Sequence, residues 1–253
     1  MKRALRLWSV AAALVATAAA AETLDEIVAK NLAARGGKDK IQAVQSIKMT
    51  GKQIFGPQEA PFTLYWKRPG KLRVEFTLQG LTGVQAYDGA NGWAVMPFLG
   101  KTDPEKMSEE DMKDVKDQAS EMIDGPFLGA DARGSKVELL GKEDIEGTPA
   151  WKIKVTRASG DFETYYLDAD AFLEIKTESK RKMRDQEVDF ESAIGDYKEV
   201  SGLTFPFSIE NKPKGAPSGQ TITVEKIEVN AEVPDSLFAM PEVKPAEPAK
   251  PSN

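Results

Sequence analysis

The side chains with chemical reach are carboxylates, lysines, arginines and tyrosines, because the 253-residue chain has no His and no Cys. Imidazole bases, Ser-His-Asp triads, thiolate nucleophiles, disulfides and Cys-based zinc or iron–sulfur sites are therefore excluded. An enzyme on this sequence would run on carboxylates, Lys, Tyr or a cofactor. Asp161, Asp168 and Asp170 gather near one turn and have the donor type of a calcium loop or an acid pair. Their spacing matches no EF-hand, and turn-forming aspartates account for them. No Gly-rich phosphate loop occurs either, and neither a metal nor a cofactor is expected. Lys180-Arg181-Lys182-Met183-Arg184 is a basic run that suits lipid headgroups, an acidic partner or a solvated hairpin tip. With 40 acidic against 34 basic residues the formal charge is −6, which disfavours binding to nucleic acid.

The elements that must position these groups begin after residue 21. Lys2, Arg3 and Arg6, an apolar run over 7–18 and Ala19-Ala20-Ala21 form a cleavable leader, with the cut expected after Ala21. The apolar run is shorter than the 20 or so residues that span a bilayer. No Cys follows the cut to accept an acyl group, so a soluble, unlipidated product outside the cytoplasm is expected.

Thr23-Leu24-Asp25-Glu26 is a capping box, and Leu24, Ile27, Val28 and Leu32 recur at helical spacing until Gly36-Gly37. Ile41 and Val44 suggest a further short turn. From Ile47 the period changes to two. Leu72, Val74, Phe76 and Leu78 alternate with Lys71, Arg73, Glu75 and Thr77; Trp151, Ile153 and Val155 alternate with lysines and threonine; Val188 and Phe190 alternate with acids. Ile222 and Val224 are out of phase with Ile227 and Val229, which calls for a bulge near Glu225-Lys226. About eleven strands are expected between Ile47 and Asn230, joined mostly as hairpins. One interruption, Asp103 to Asp124, carries Met112, Val115, Ala119 and Met122 on one helical stripe, with Asp103 as cap and Pro104 in the first turn. Residues 242–253 are rich in Pro, Ala, Lys and Glu and read as a disordered tail.

A wide antiparallel sheet with one apolar face, and only two helical segments to cover it, must curl over that face. The expectation is a mainly β (α+β) fold: an unclosed antiparallel β-barrel with an N-terminal helix and an inserted lid helix. A two-sheet sandwich satisfies the same burial demand. The nine residues Leu72, Val74, Phe76, Leu78, Trp151, Ile153, Val155, Val188 and Phe190 are expected to wall an apolar cavity.

Residues 64–98 carry a resemblance. Leu64-Tyr65-Trp66-Lys67-Arg68-Pro69 precedes the alternating strand, and Asp88-Gly89, Trp93 and Pro97-Phe98 follow it. This pattern resembles the LolA-type periplasmic lipoprotein carriers. Tyr165-Tyr166-Leu167-Asp168, Gly202-Leu203-Thr204-Phe205-Pro206 and the ending Val233 to Pro241 resemble related lipoprotein-sorting sequences. The resemblance covers residues 22–241, read as one domain. It implies a cavity that shields the acyl chains of lipoproteins or lipids, an inner-membrane donor complex, an outer-membrane acceptor and a monomeric carrier. It also implies that Arg68 hydrogen-bonds lid carbonyls and holds the cavity shut. Two other functions fit the residues: a periplasmic sensor or regulatory binding module on the same fold, and a carboxylate-based hydrolase with two acids facing each other in a polar cleft.

Overall fold

The computed structural model describes residues 22–183 and 186–242. The expected leader at 1–21, the tail from 243 onward and Arg184 of the basic run lie outside the described residues. Thr23 caps α1 (Leu24–Ala34): its hydroxyl accepts the Glu26 N–H at 3.3 Å while its own N–H donates to the Glu26 carboxylate at 2.8 Å. Gly36 ends the helix at φ +113°, and a Cβ there would fall 2.4 Å from the Gly202 carbonyl oxygen. The short turn expected around Ile41 is α2 (Lys38–Ala43), with Ile41 and Val44 both buried.

Six strands then run as a meander: β1 (Ser46–Phe55), β2 (Gln58–Lys67), β3 (Lys71–Leu78), β4 (Leu81–Tyr87), β5 (Gly92–Met96) and β6 (Lys101–Lys106). After α3 (Glu109–Glu121) come β7 (Lys136–Ile145), β8 (Thr148–Thr156), β9 (Phe162–Asp168), β10 (Glu174–Met183), β11 (Gln186–Val200), β12 (Leu203–Pro213) and β13 (Gln220–Val229). All thirteen belong to one antiparallel sheet, ordered β6-β5-β4-β3-β2-β1-β13-β12-β11-β10-β9-β8-β7. The sandwich alternative is thereby removed. The two meanders meet at a seam between β1 and β13, and the sheet stays unclosed between β6 and β7. The seam contains the expected bulge: Thr50 pairs with Lys226 and Gly51 with Val224, which leaves Glu225 as the extra residue.

Two expectations are corrected. The described residues form thirteen strands rather than about eleven. The inserted helix starts at Glu109, not near Asp103, because Ser108 is the cap that accepts the Asp111 N–H at 3.1 Å. Residues 101–106 pair instead with β5, and Pro104 is tolerated there because an edge strand has no outer ladder to donate to.

The sheet curls. α3 receives a hydrogen bond from Trp66 on β2 and ion pairs from Arg157, which follows β8. In the sheet order β2 and β8 are seven strand spacings apart, about 33 Å if flat, whereas a helix is only about 10 Å across. The helices lie on the concave side and split its apolar residues into two clusters. Ile47, Trp66, Leu72 and Phe62 pack with α2 and α3; Trp151, Ile153, Val155 and Leu167 pack with Ile27 of α1. On the convex side the segment after β13 straps the first meander: Trp93 donates to the Phe238 carbonyl and Arg73 to the Leu237 carbonyl, both at 2.8 Å.

Glu178 on β10 is a convex-face anchor. Burial pushes its carboxyl up, but hydrogen bonds from Lys176 and Lys214 outweigh this and lower it from 4.5 to about 2. A carboxyl lowered by folding stabilises above its unfolded value and loses that contribution as pH falls through the folded value. Wild-type Tm is therefore expected to fall between pH 4.5 and 2, and Glu178→Gln to flatten that fall while lowering Tm at pH 7. Thermal melts across that range check it.

Candidate functional site

Cross-strand register defines the concave wall. Leu72, Val74 and Phe76 on β3 stand opposite Trp66, Leu64 and Phe62 on β2, and Leu64 stands opposite Met49 on β1. Met49 in turn faces Ile227 of β13. Leu72 is buried under α3, whose Val115 and Ala119 are buried in the same cluster with Met112 and Met122 packed beside them. Farther from the helix, Met49, Val74, Phe76, Leu78, Ile194, Ile209 and Ile222 are only half-buried. Phe98 leans over Phe76 with ring centroids 5.3 Å apart, in space that Gly83 leaves open: a Cβ there would meet Phe98 at 2.7 Å. α3 thus covers one end of the apolar wall, and beyond it half-buried residues alternate with the buried Phe62, Leu64 and Val224.

The nine expected wall residues do not form one group. Leu72, Val74 and Phe76 belong to the cluster under α3; Trp151, Ile153 and Val155 belong to the cluster under α1. Leu78 pairs with Leu81 at the β3–β4 hairpin. Val188 and Phe190 are half-buried near the far end of β11, where Phe190 lines a recess of about 170 Å³ with Phe162 and Lys180. The larger cleft, about 550 Å³, lies beside α3 and has a mixed lining that includes Met112, Lys116, Glu121, Arg133 and Arg157.

Arg68 reaches from the end of β2 to the helices. Its Nε donates to the Val44 carbonyl at 2.8 Å and its Nη2 to the Ile41 carbonyl at 3.1 Å, both in or beside α2. The same guanidinium forks onto the Asp124 carboxylate, just past α3, at 3.1 and 2.9 Å. It also stands 5.3 Å from the Trp66 ring. Trp66 donates its buried indole N–H to the Ala119 carbonyl of α3 at 2.7 Å.

Sequence reading missed a second arginine. Arg157 gives Nε and Nη2 to the two oxygens of Glu121 on α3, at 3.1 and 2.7 Å, and Nη2 also to Glu163 on β9 at 3.1 Å. Burial alone would lower its pKa, but the hydrogen bond to Glu121 and the charges of Tyr165, Glu121 and Glu163 raise it. Burial, with Glu163 and Glu121 adding to it, pushes the Tyr165 phenol well up. These carboxylate oxygens are engaged in holding helix to sheet. Nothing in the local sequence marks Arg157, because its partners lie on α3 and β9.

The turn aspartates shape the chain. Asp168 accepts the N–H groups of Asp170 and Ala171, each at 2.8 Å, and Asp161 pairs with Lys113 of α3. Of the basic run, Lys180 lies on β10 opposite Asp189, which it approaches at 3.8 Å. Among the described residues no helix is long and apolar enough to cross a membrane.

An unclosed, curled antiparallel sheet with helices laid across its apolar side is the LolA-type fold, and the chain has it. A LolA superfamily protein from Nitrosomonas europaea matches 87% of this chain and 98% of its own, at 14% identity and a TM-score of 0.57. An outer membrane lipoprotein-sorting protein domain from Vibrio parahaemolyticus matches 84% and 94%, at 11% identity and 0.56. A DUF1329 family protein from Desulfovibrio piger matches 84% and 96%, at 15% identity and 0.57. No family model matches the chain, and no curated protein matches it in sequence.

Proposed function

We propose that the chain is a soluble carrier that shelters the acyl chains of lipoproteins or lipids against its concave wall and passes them toward the outer membrane. The observation that supports this most is the run of half-buried apolar residues Phe76, Val74, Met49, Ile222 and Ile209, which alternates across the sheet with the buried Phe62, Leu64 and Val224 and adjoins residues buried beneath a helix that polar contacts hold down. An acyl chain in water is penalised by about 0.8 kcal/mol per CH₂, so lifting α3 off Leu72 and Trp66 would give it a dry seat. The Met112 and Met122 side chains flanking the lid stripe suit contact with cargo of varied shape. Arg68 holds the lid shut when the wall is empty. Transfer needs only an acceptor that offers a better environment, so no bond is made or broken. The leader at 1–21 directs the chain to the periplasm, where it works as a monomer between an inner-membrane donor complex and an outer-membrane acceptor. Nucleic acid has no part in it.

The test is the ligand. Native mass spectrometry and lipid extraction of the purified chain beginning at Glu22 are expected to reveal near-stoichiometric acyl lipid, and the delipidated protein to take up an apolar fluorescent probe. The absence of both bound lipid and probe uptake would overturn the carrier.

A further inference from the structure

We propose that the polar flank of α3 is a latch onto the β8–β9 turn, with Arg157 at its centre, and that α3 opens by releasing this latch while its C-terminal end stays pinned. The inference rests on the carrier reading only for the purpose of the motion. Lys113, Asp117 and Glu121 follow each other at i, i+4 and i+8, so they form one stripe along the helix. All three meet residues at the β8–β9 turn: Lys113 pairs with Asp161, and Asp117 and Glu121 meet Arg157 at 3.8 and 2.7 Å. The flank beside it carries the apolar stripe Met112, Val115, Ala119 and Met122. α3 therefore joins the two halves of the sheet in two different ways, by apolar packing on β1–β4 and by charge on β8–β9.

The segment after the helix is held differently. Arg35 donates to the carbonyls of Ile123 and Asp124 at 2.6 and 3.0 Å, and Arg133 to those of Gly125, Pro126 and Leu128 at 2.9, 3.0 and 2.7 Å. Arg68 forks onto the Asp124 carboxylate. Phe127 is buried in one apolar cluster and Leu128 in the other. Moving this segment would strip five carbonyls of their donors and disturb both clusters, so it is the fixed end.

The latch can part without stranding a charge. Asp117 and Glu121 ride on the helix, whereas Glu163 stays with the sheet and keeps Arg157 paired, with the Tyr165 hydroxyl 3.3 Å from the guanidinium. The 550 Å³ cleft touches Asp117, Glu121 and Arg157, so water reaches the acids as they separate. Breaking a buried ion pair is severe when one charge is left alone, and here neither is. A swing of about 30° about Gly125 moves Glu121 by about 3 Å, enough to break its hydrogen bonds, and Lys116 by about 7 Å at 1.5 Å of rise per residue.

The chain has no native Cys, so Lys116→Cys and Ser159→Cys place a clean spin-label pair across the cleft. In this background Arg157→Met leaves three acids with no cation between them. It is expected to raise the population with a longer label distance roughly tenfold, equivalent to about 1.4 kcal/mol, and to speed uptake of an apolar probe. Glu121→Gln is the milder second variant and should shift the same population in the same direction. Folded variants that both keep the wild-type distance distribution overturn the latch. Longer distances with no probe uptake by any form keep the latch and overturn the carrier.

Discussion

Arg68→Leu is expected to leave the protein folded and able to load an apolar probe, but to slow its release to acceptor vesicles by roughly tenfold. Four donor contacts from one guanidinium converge on two α2-region carbonyls and the Asp124 carboxylate. Hydrogen bonds to charged groups contribute about 1.5–3 kcal/mol each, reduced here because the site is about a quarter exposed, so a net loss near 1.4 kcal/mol is a conservative sum. That loss falls on the anchorage of α3, because Arg68 ties its pinned end to α2, and a loosened pivot lets the helix settle less firmly on the empty wall. With closure weakened, less free energy drives cargo off the wall. Lys at this position should restore little, because a point charge cannot replace a planar fork. Stopped-flow transfer to vesicles measures the effect, and wild-type release rates would remove Arg68 from the lid's workings.

A charge on the half-exposed wall gives the second large effect. Val74 stands opposite Leu64, packs against the buried cluster and remains half-buried, so a carboxylate there can reach water while the wall is empty. An acyl chain laid across it would remove that water, and an ionised carboxylate deprived of water without a partner is heavily penalised. Val74→Glu is therefore expected to weaken probe binding at least tenfold, about 1.4 kcal/mol, with circular dichroism unchanged. Leu140→Glu, at an already exposed position on the opposite face of β7, is the control and should bind as wild type does. Equal binding by Val74→Glu and wild type would place the cargo elsewhere.

How far the sequence could be read depended on whether a feature is local. The capping box at Thr23, the alternation along β3 and the bulge at Glu225 are encoded within a few residues, and each appears where periodicity placed it. The helix stripe Met112, Val115, Ala119 and Met122 was legible as well, although its start was not. Asp103-Pro104 and Ser108 are both acceptable helix starts, and only the pairing of residues 101–106 with β5 decides between them. The wall residues were recognisable as apolar but not as two clusters, because the division is made by α1 and α3 arriving from distant parts of the chain. Arg157 was invisible for the same reason: Glu121 is 36 positions away from it.

The pairing of β1 with β13 also governs how the chain reaches this form. Each meander is built of neighbouring hairpins that close over short loops, whereas the register Ile47 to Val229 spans roughly 180 residues. Closing so long a loop is opposed by about 2.6 kcal/mol more conformational entropy than closing a ten-residue one. The halves should therefore assemble first and zip together last, so that maturation speed is set by the central joint, the place farthest from the gap that the helix spans.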